Sequence, residues 1–344
     1  MRTLNRPVKN AIISLLFIFL FVFAYLYRNN ESAPKKDYYF DSGLIFGTNY
    51  NITYESDRPL TAEIQEELKK FDYSLSTFNK ESVISRVNQN DSTVVLDDWF
   101  VHVFTKAMEV SKKTDGAFDI TVAPLVNAWG FGFKKKEQVT PELIDSILQY
   151  VGYEKIKLIN GKIIKDNPNI MIDCAAIAKG YACDIIGELL ASKGCTNYLV
   201  DIGGENVTKG VNKKGKLWHV GINKPIESGE LDRNEIEAVI SISGKGMATS
   251  GNYRNYYYEG GKRYAHTINP KSGYPIQHSL LSATVIAPDC MTADAYATAF
   301  MVMGMDKAME IVEADPTLEA FFTYTDGSDQ YRKKYSKGLE GLLE

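Results

Sequence analysis

Histidine and cysteine are scarce in this chain, with four of each in 344 residues. His102, His219, His266 and His278 are too few and too scattered for a multi-histidine metal site, and no H-E-x-x-H is present. Any metal is then expected to be a hard ion on oxygen ligands. Cys174, Cys183, Cys195 and Cys290 show no C-x-x-C spacing, and their apolar neighbours predict buried free thiols. A phosphate-binding G-x-x-x-x-G-K-[ST] loop and a G-x-S-x-G nucleophile elbow are also missing. The glycine-rich "GKGMATSG" lacks the G-x-G-x-x-G spacing of dinucleotide folds. A charge excess is lacking too: 39 Lys and Arg against 43 Asp and Glu give a net charge of −4. A nucleic-acid binder would show a basic face, so no nucleic-acid partner is expected. No internal repeat or low-complexity tract is found.

What is present begins with one apolar run. Arg2, Arg6 and Lys9 precede "AIISLLFIFLFVFAYLY", uncharged from Ala11 to Tyr27. Its length is at the short end of what spans a bilayer, and Tyr25 and Tyr27 sit where an interfacial aromatic belt would. A secretory signal has the same layout, but Arg28, Asn29, Asn30 and Glu31 follow instead of a small-x-small cleavage site. No cysteine near residue 28 is available for lipidation. The expected organisation is a basic cytoplasmic terminus (1–10), a transmembrane signal anchor (11–27), a tether (28–40) and one folded domain (41–344). A basic N-terminus stays inside, which places that domain on the extracytoplasmic, periplasmic side of the inner membrane.

Within the domain, "GLIFGTNYNITYES" alternates as a strand or hairpin kinked at Gly47. Ile64, Leu68, Phe71 and Leu75 recur at helical spacing, and a second amphipathic helix is opened by Asp97 or Asp98 and closed by Gly116. Pro141 suits the first turn of a third helix over 141–150. "YEKIKLI" and "KIIKDNPNIMID" read as strands, leading into a helix striped by Ile177, Tyr181, Ile185 and Leu189 and ended by Gly194. "NYLVDIGGE", "KLWHVGI", "EAVISIS", "RYAHTI" and "SATVIA" follow as strands, and "CMTADAYATAF" as a buried helix. Strands and helices mix without a βαβ rhythm, which predicts an α+β fold.

Several polar residues sit oddly in these elements. Asp294 and Thr298, four apart, share one helical face, where a carboxylate and a hydroxyl suit Mg²⁺. Equally, Thr292 could be the N-cap, with Asp294 a first-turn acid favoured by the helix dipole by about 0.3–1 kcal/mol. Asp173 ends an apolar strand just before a helix, as an N-cap would. Lys179, in the first turn, opposes the dipole and is easier to explain if it answers an anion. "DIGGE" reads as a tight turn whose glycines let backbone approach a ligand. "ATSGNYRNYY" offers phosphate-compatible donors that include Arg254, and "HTINPKSGYP" sets His266 at a strand end before a functional-looking loop.

Taken together these stretches resemble the FAD:protein FMN transferases, the ApbE-type family. The blocks that carry the resemblance are "LSTFNKESVISRVN", "GAFDITVAPLVNAWGFG", "IDCAAIAKGYACD", "YLVDIGGE", "ATSGNYRNYY", "HTINPKSGYP" and "MTADAYATA", in that order. The resemblance implies a bilobal α+β fold of mixed sheets and helices. It implies Mg²⁺-dependent transfer of FMN from FAD to a Thr or Ser hydroxyl of an acceptor protein, with release of AMP. The metal ligands it implies are Asp294, Thr298 and the carbonyl of Ala176, with Ala297 against the site. Implied FAD contacts are Phe46, Phe78, Ala117, Phe118, Asp119, Asp173, Lys179 and Ile268, with Arg254 adding positive charge. His266 is the candidate general base and Asp173 the second choice, because a hydroxyl nucleophile needs one. Phe46 stands where the family usually has Met. Asn252 and Asn269 stand where many members have Asp. Acceptors would be extracytoplasmic subunits of redox-driven ion pumps or secreted flavoproteins. An FAD pyrophosphatase using water as acceptor, or a flavin-binding protein without turnover, are the alternatives.

Overall fold

The computed structural model describes residues 17–20, 36–133, 137–225, 235–252, 256–260, 262–327 and 331–344. Among them no helix is long and apolar enough to cross a membrane. The expected anchor over 11–27 lies outside the described residues apart from 17–20, and Arg254 lies outside them as well.

An eight-stranded sheet organises the domain. β1 (Asp37–Ile45) and β2 (Thr48–Ser56) form the hairpin expected around Gly47. Phe46 (φ 52°) and Gly47 (φ 73°) form its two-residue turn, and paired positive φ values match the twist of a tight hairpin. β2 pairs with β5 (Tyr198–Ile202), β5 with β6 (Glu205–Lys209), and β6 with β9 (Lys245–Gly251). β9 continues to β12 (Leu280–Ala287), β13 (Glu319–Thr325) and β14 (Tyr331–Tyr335). Every pairing is antiparallel, which agrees with an α+β fold. The hairpins β3 (Ile156–Ile159) with β4 (Lys162–Lys165), β7 (Trp218–Asn223) with β8 (Ile236–Ile242), and β10 (Tyr256–Glu259) with β11 (Lys262–Ala265) stand apart from it.

The helices are α1 (Thr61–Leu75), α2 (Val83–Asn88), α3 (Asp98–Lys113), α4 (Ala123–Ala128), α5 (Pro141–Leu148), α6 (Ala175–Ser192), α7 (Cys290–Met303) and α8 (Met305–Ala314). The predicted stripe Ile64, Leu68, Phe71 and Leu75 is buried along α1. Asp97 caps α3, accepting from the Phe100 N–H, and Thr140 caps α5 with Pro141 behind it. Helix α3 ends at Lys113 and is closed, as expected, by Gly116, whose N–H turns back to the Ser111 carbonyl.

Successive residues of the central strands serve opposite faces. Ala248, Val285 and Phe322 enter the main core under α6 and α7. Met247, Ile286 and Phe321 enter a second cluster closed by Val220, Ile222, Ile240 and Leu339. A third cluster joins Leu125, Trp129, Ile144 and Ile147 to Ile268. All four cysteines are buried free thiols, as expected.

One expectation is corrected. The segment "NIMID" is extended but pairs with no strand; instead the Asn88 side chain donates to the Ile172 carbonyl and accepts from its N–H. Ile170 and Ile172 are fully buried, so their apolar signal came from packing rather than from a ladder. Thr249 and Ser250 lie in β9, where the Thr249 and Thr284 hydroxyls are bonded at 2.8 Å.

Candidate active site

Helices α6 and α7 cross the same face of the sheet in contact so close that only glycine fits. A Cβ on Gly180 would lie 2.8 Å from Asp294 Cβ and closer still to the Cys290 carbonyl oxygen. That approach lets the Gly180 N–H donate to Asp294 Oδ2 at 3.0 Å. One turn on, Asp184 accepts from the N–H groups of Cys290 and Met291, both at 2.8 Å. Pairing 180 with 294 and 184 with 290 makes the two helices antiparallel. Asp184 thereby satisfies amides that the N-terminus of α7 leaves without helical partners. The true N-cap of α7 is Asp289, accepting from Thr292 N–H at 2.6 Å. Asp294 is therefore the fifth helical residue and not a first-turn acid, and Thr292 is not the cap. The capping explanation for both falls.

Asp294 is 5% exposed, and burial raises its carboxyl above the ordinary range, opposed by the nearby Lys179 charge and the Gly180 amide. Lys179 lies at the start of the second turn of α6, one turn deeper than predicted. Its ammonium sits 2.7 Å from Glu205 Oε1. Burial works against the Lys179 charge, but the carboxylates of Asp294 and Glu205 more than offset it and hold the ammonium above its usual range. Burial also pushes Glu205 up to about 7, with Lys179 pulling it down. Glu205 was not among the sequence candidates. A carboxylate starting a strand directly after Gly203 and Gly204 was the available signal.

Four predicted FAD contacts meet at one place. Phe46, Phe78, Asp173 and Lys179 line a cavity of about 120 Å³ together with Phe71 and Ala178. Phe78 is 80% exposed, a flat apolar ring at the cavity mouth. Thr77 and Phe78 also border a larger cleft of about 670 Å³ that runs past Asn88, Pro124, Asn127 and Met171. Asp173 accepts from the Ala175 N–H at 2.8 Å, and burial raises its carboxyl. It acts partly as the cap it resembled, although the N-cap position itself is Cys174.

Other predicted contacts lie elsewhere. Phe118 is a core residue, and Asp119 is turned inward, accepting from the Thr121 N–H and hydroxyl and from the Tyr153 N–H. Burial raises the Asp119 carboxyl, and these bonds pull it back. Ile268 is buried in the third cluster, while Ala117 is half-buried. At these four positions only the backbone is left to meet a ligand, or in Ala117 a methyl group. Ala176 and Thr298 are half-buried, and Ala297 is fully buried in the core.

His266 follows β11, its ring edge-on to Phe131 with centroids 6.4 Å apart. It does not line the 120 Å³ cavity. Its loop is pinned at the far end, where Trp129 Nε1 donates to the Gly273 carbonyl at 2.8 Å. Gly273, at φ 78°, has no room for a Cβ against Ile144. Among the described residues there is no group of three or more His, Cys, Asp or Glu that could hold a metal.

The chain matches the ApbE family over residues 46–322. It is 43% identical over 319 residues to a FAD:protein FMN transferase of Haemophilus influenzae, covering 88% of this chain and 91% of that protein. Against the FAD:protein FMN transferase of Escherichia coli, identity is 38% over 295 residues, 83% and 82% of the two chains. Its fold matches that of flavin transferase ApbE from Vibrio cholerae with a TM-score of 0.80 and 34% identity, covering 90% of this chain and all of the other. For the apo flavinyl transferase ApbE of Pseudomonas stutzeri the TM-score is 0.79 at 30% identity, over 89% and 97%.

Proposed function

The chain belongs to the ApbE family and transfers FMN from FAD to a protein, and on that premise we propose how its residues carry out the transfer. One observation carries the reading: Phe46, Phe78, and Asp173 with Lys179, from three separate segments, line a single cavity beside the buried Asp294. A dinucleotide needs more than 120 Å³, since ligand pockets run to about 300–1,000 Å³. The adjoining cleft past Thr77 and Phe78 supplies that room. The exposed Phe78 ring offers a stacking surface for a flat heterocycle.

The donors available suit Mg²⁺. Asp294 offers a carboxylate, Thr298 a hydroxyl with no hydrogen-bond partner among the described residues, and Ala176 a carbonyl. The helical acceptor for the Gly180 N–H is that Ala176 carbonyl four residues back. Because Gly180 also donates to Asp294, the Ala176 oxygen has acceptor capacity to spare. A set with one carboxylate leaves most of the cation's shell to phosphate and water, as Mg²⁺ prefers. When bound, the ion supplies Lewis-acid polarisation of the diphosphate.

The protein's own groups do the rest. Lys179 stays protonated and places positive charge where the leaving AMP gains negative charge. The acceptor Thr or Ser oxygen forms a bond to the FMN phosphorus, the P–O bond to AMP breaks, and AMP leaves with the electron pair. His266 takes the hydroxyl proton on an imidazole nitrogen, with Asp173, whose carboxyl burial raises above its ordinary range, as the second candidate. We further infer that the run over 11–27 anchors the enzyme in the inner membrane and that its acceptors are extracytoplasmic flavoproteins.

Incubation of the purified full chain with FAD, Mg²⁺ and a Thr-containing acceptor tests the reading. Flavin fluorescence covalently on the acceptor, with one AMP per flavin and abolition by EDTA, is expected. Free FMN alone would replace transfer by hydrolysis.

A further inference from the structure

Lys179 has a buried partner outside the contacts already assigned. Glu205 Oε1 lies 2.7 Å from its ammonium, and Glu205 Oε2 is buried with no hydrogen-bond partner. Glu205 is only 5% exposed, an expensive position for an acid unless its charge is answered. The turn before it is built to admit it. A Cβ on Gly203, at φ 72°, would stand 3.2 Å from Glu205 Oε2 and 2.9 Å from Thr48 Cγ2.

Lys179 thus has two acids near it but a direct ion pair with only one. Asp294 acts on Lys179 through its charge, yet no ion pair joins them; the pair is with Glu205. That division matters because Asp294 is the only carboxylate in the proposed cation site. Were Asp294 the sole acid near Lys179, ammonium and Mg²⁺ would compete for the same oxygens. A buried ammonium needs a carboxylate, so the lysine would be a strong competitor. With Glu205 as its partner, Lys179 stays charged and close while Asp294 keeps a free edge.

We propose that Glu205 is a positioning residue that holds Lys179 off Asp294 and so sets the affinity of the cation site. The inference rests on the reading of Asp294 as a Mg²⁺ ligand. Replacing Glu205 by the isosteric Gln removes the charge while keeping the shape. Lys179 then turns to Asp294, and the cation is displaced.

The test compares the full-length wild type with Glu205→Gln and Glu205→Asp. Mn²⁺ binding is followed by electron paramagnetic resonance on the protein alone, beside the Mg²⁺ concentration giving half-maximal AMP release. Glu205→Gln should weaken Mn²⁺ binding at least tenfold and raise the Mg²⁺ requirement in parallel. Glu205→Asp, which keeps a charge on a shorter arm, should lie between the two even if the Gln variant folds poorly. Unchanged Mn²⁺ affinity in both variants, whatever happens to turnover, would overturn the proposal and leave Glu205 a packing residue. A wild type that neither binds Mn²⁺ nor responds to EDTA would instead refute the cation reading, and this inference with it.

Discussion

Gly180→Ala sets helix propensity against tertiary packing. Inside a helix this change ordinarily gains about 1 kcal/mol. At position 180 the added methyl would meet the Cys290 carbonyl and Asp294 Cβ, the latter at 2.8 Å, and neither belongs to a flexible side-chain tip. Restoring ordinary contact requires α6 and α7 to separate by roughly 1 Å. Overpacking of this kind costs about 1–3 kcal/mol. The separation also breaks the bond from the Gly180 N–H to the Asp294 carboxylate, about 1.5–3 kcal/mol for a charged acceptor. After the propensity gain, the net loss is about 1.5–5 kcal/mol. Urea unfolding followed by circular dichroism measures it, with Gly187→Ala in the same helix as control. There the new methyl meets only Val207 Cγ1 at 3.2 Å and Tyr198 Cε2 at 3.3 Å, side chains that can shift. The control should change stability by less than about 1 kcal/mol. Flavin transfer should fall in Gly180→Ala as Asp294 moves. A Gly180→Ala protein as stable as the wild type, with full transfer, would refute both the packing argument and the placement of Asp294.

Asp294→Asn should abolish cation-dependent AMP release in a protein that still folds at pH 7. Lys179 keeps Glu205 as its partner there; retained turnover in a folded variant contradicts the ligand assignment. His266→Ala should cut transfer severely while calorimetry shows FAD still bound; loss of binding and turnover together would make His266 a positioning residue. Burial raises the Asp184 carboxyl from 3.8 to about 7, although the Cys290 and Met291 amides pull it back. The native state therefore holds a proton that the unfolded chain releases, so this contribution is complete below about pH 4 and lost as pH rises through 7. Thermal unfolding of Asp184→Asn between pH 4 and 8 should show a shallower decline than the wild type, and identical slopes would remove Asp184 from the account.

Much of this protein is local enough to be legible in its sequence. Alternation around Gly47, the α1 stripe, the Thr140–Pro141 start of α5 and the absence of a βαβ rhythm each depend on neighbours within a few residues. The same holds for the buried thiols, and the ordered motif blocks pointed to the family without any contact being known. Local rules misled where a residue's partner lay far along the chain. Asp294 resembled a first-turn acid until the Asp289 cap placed the helix start. "NIMID" carried a strand's pattern, yet the Ile172 backbone bonds the Asn88 side chain, more than eighty residues away.

Composition and spacing determined the α+β class and the residue types available for chemistry, and the resemblance carried by the ordered motif blocks gave the family. Only the tertiary structure decided that Lys179 pairs with Glu205 and that Asp294 takes its hydrogen bond from Gly180. It also decided that Phe118, Asp119 and Ile268 turn their side chains inward. The reason is range: propensities and caps act within a turn or two, whereas a buried charge is settled by whichever distant group the packing brings within about 3 Å of it.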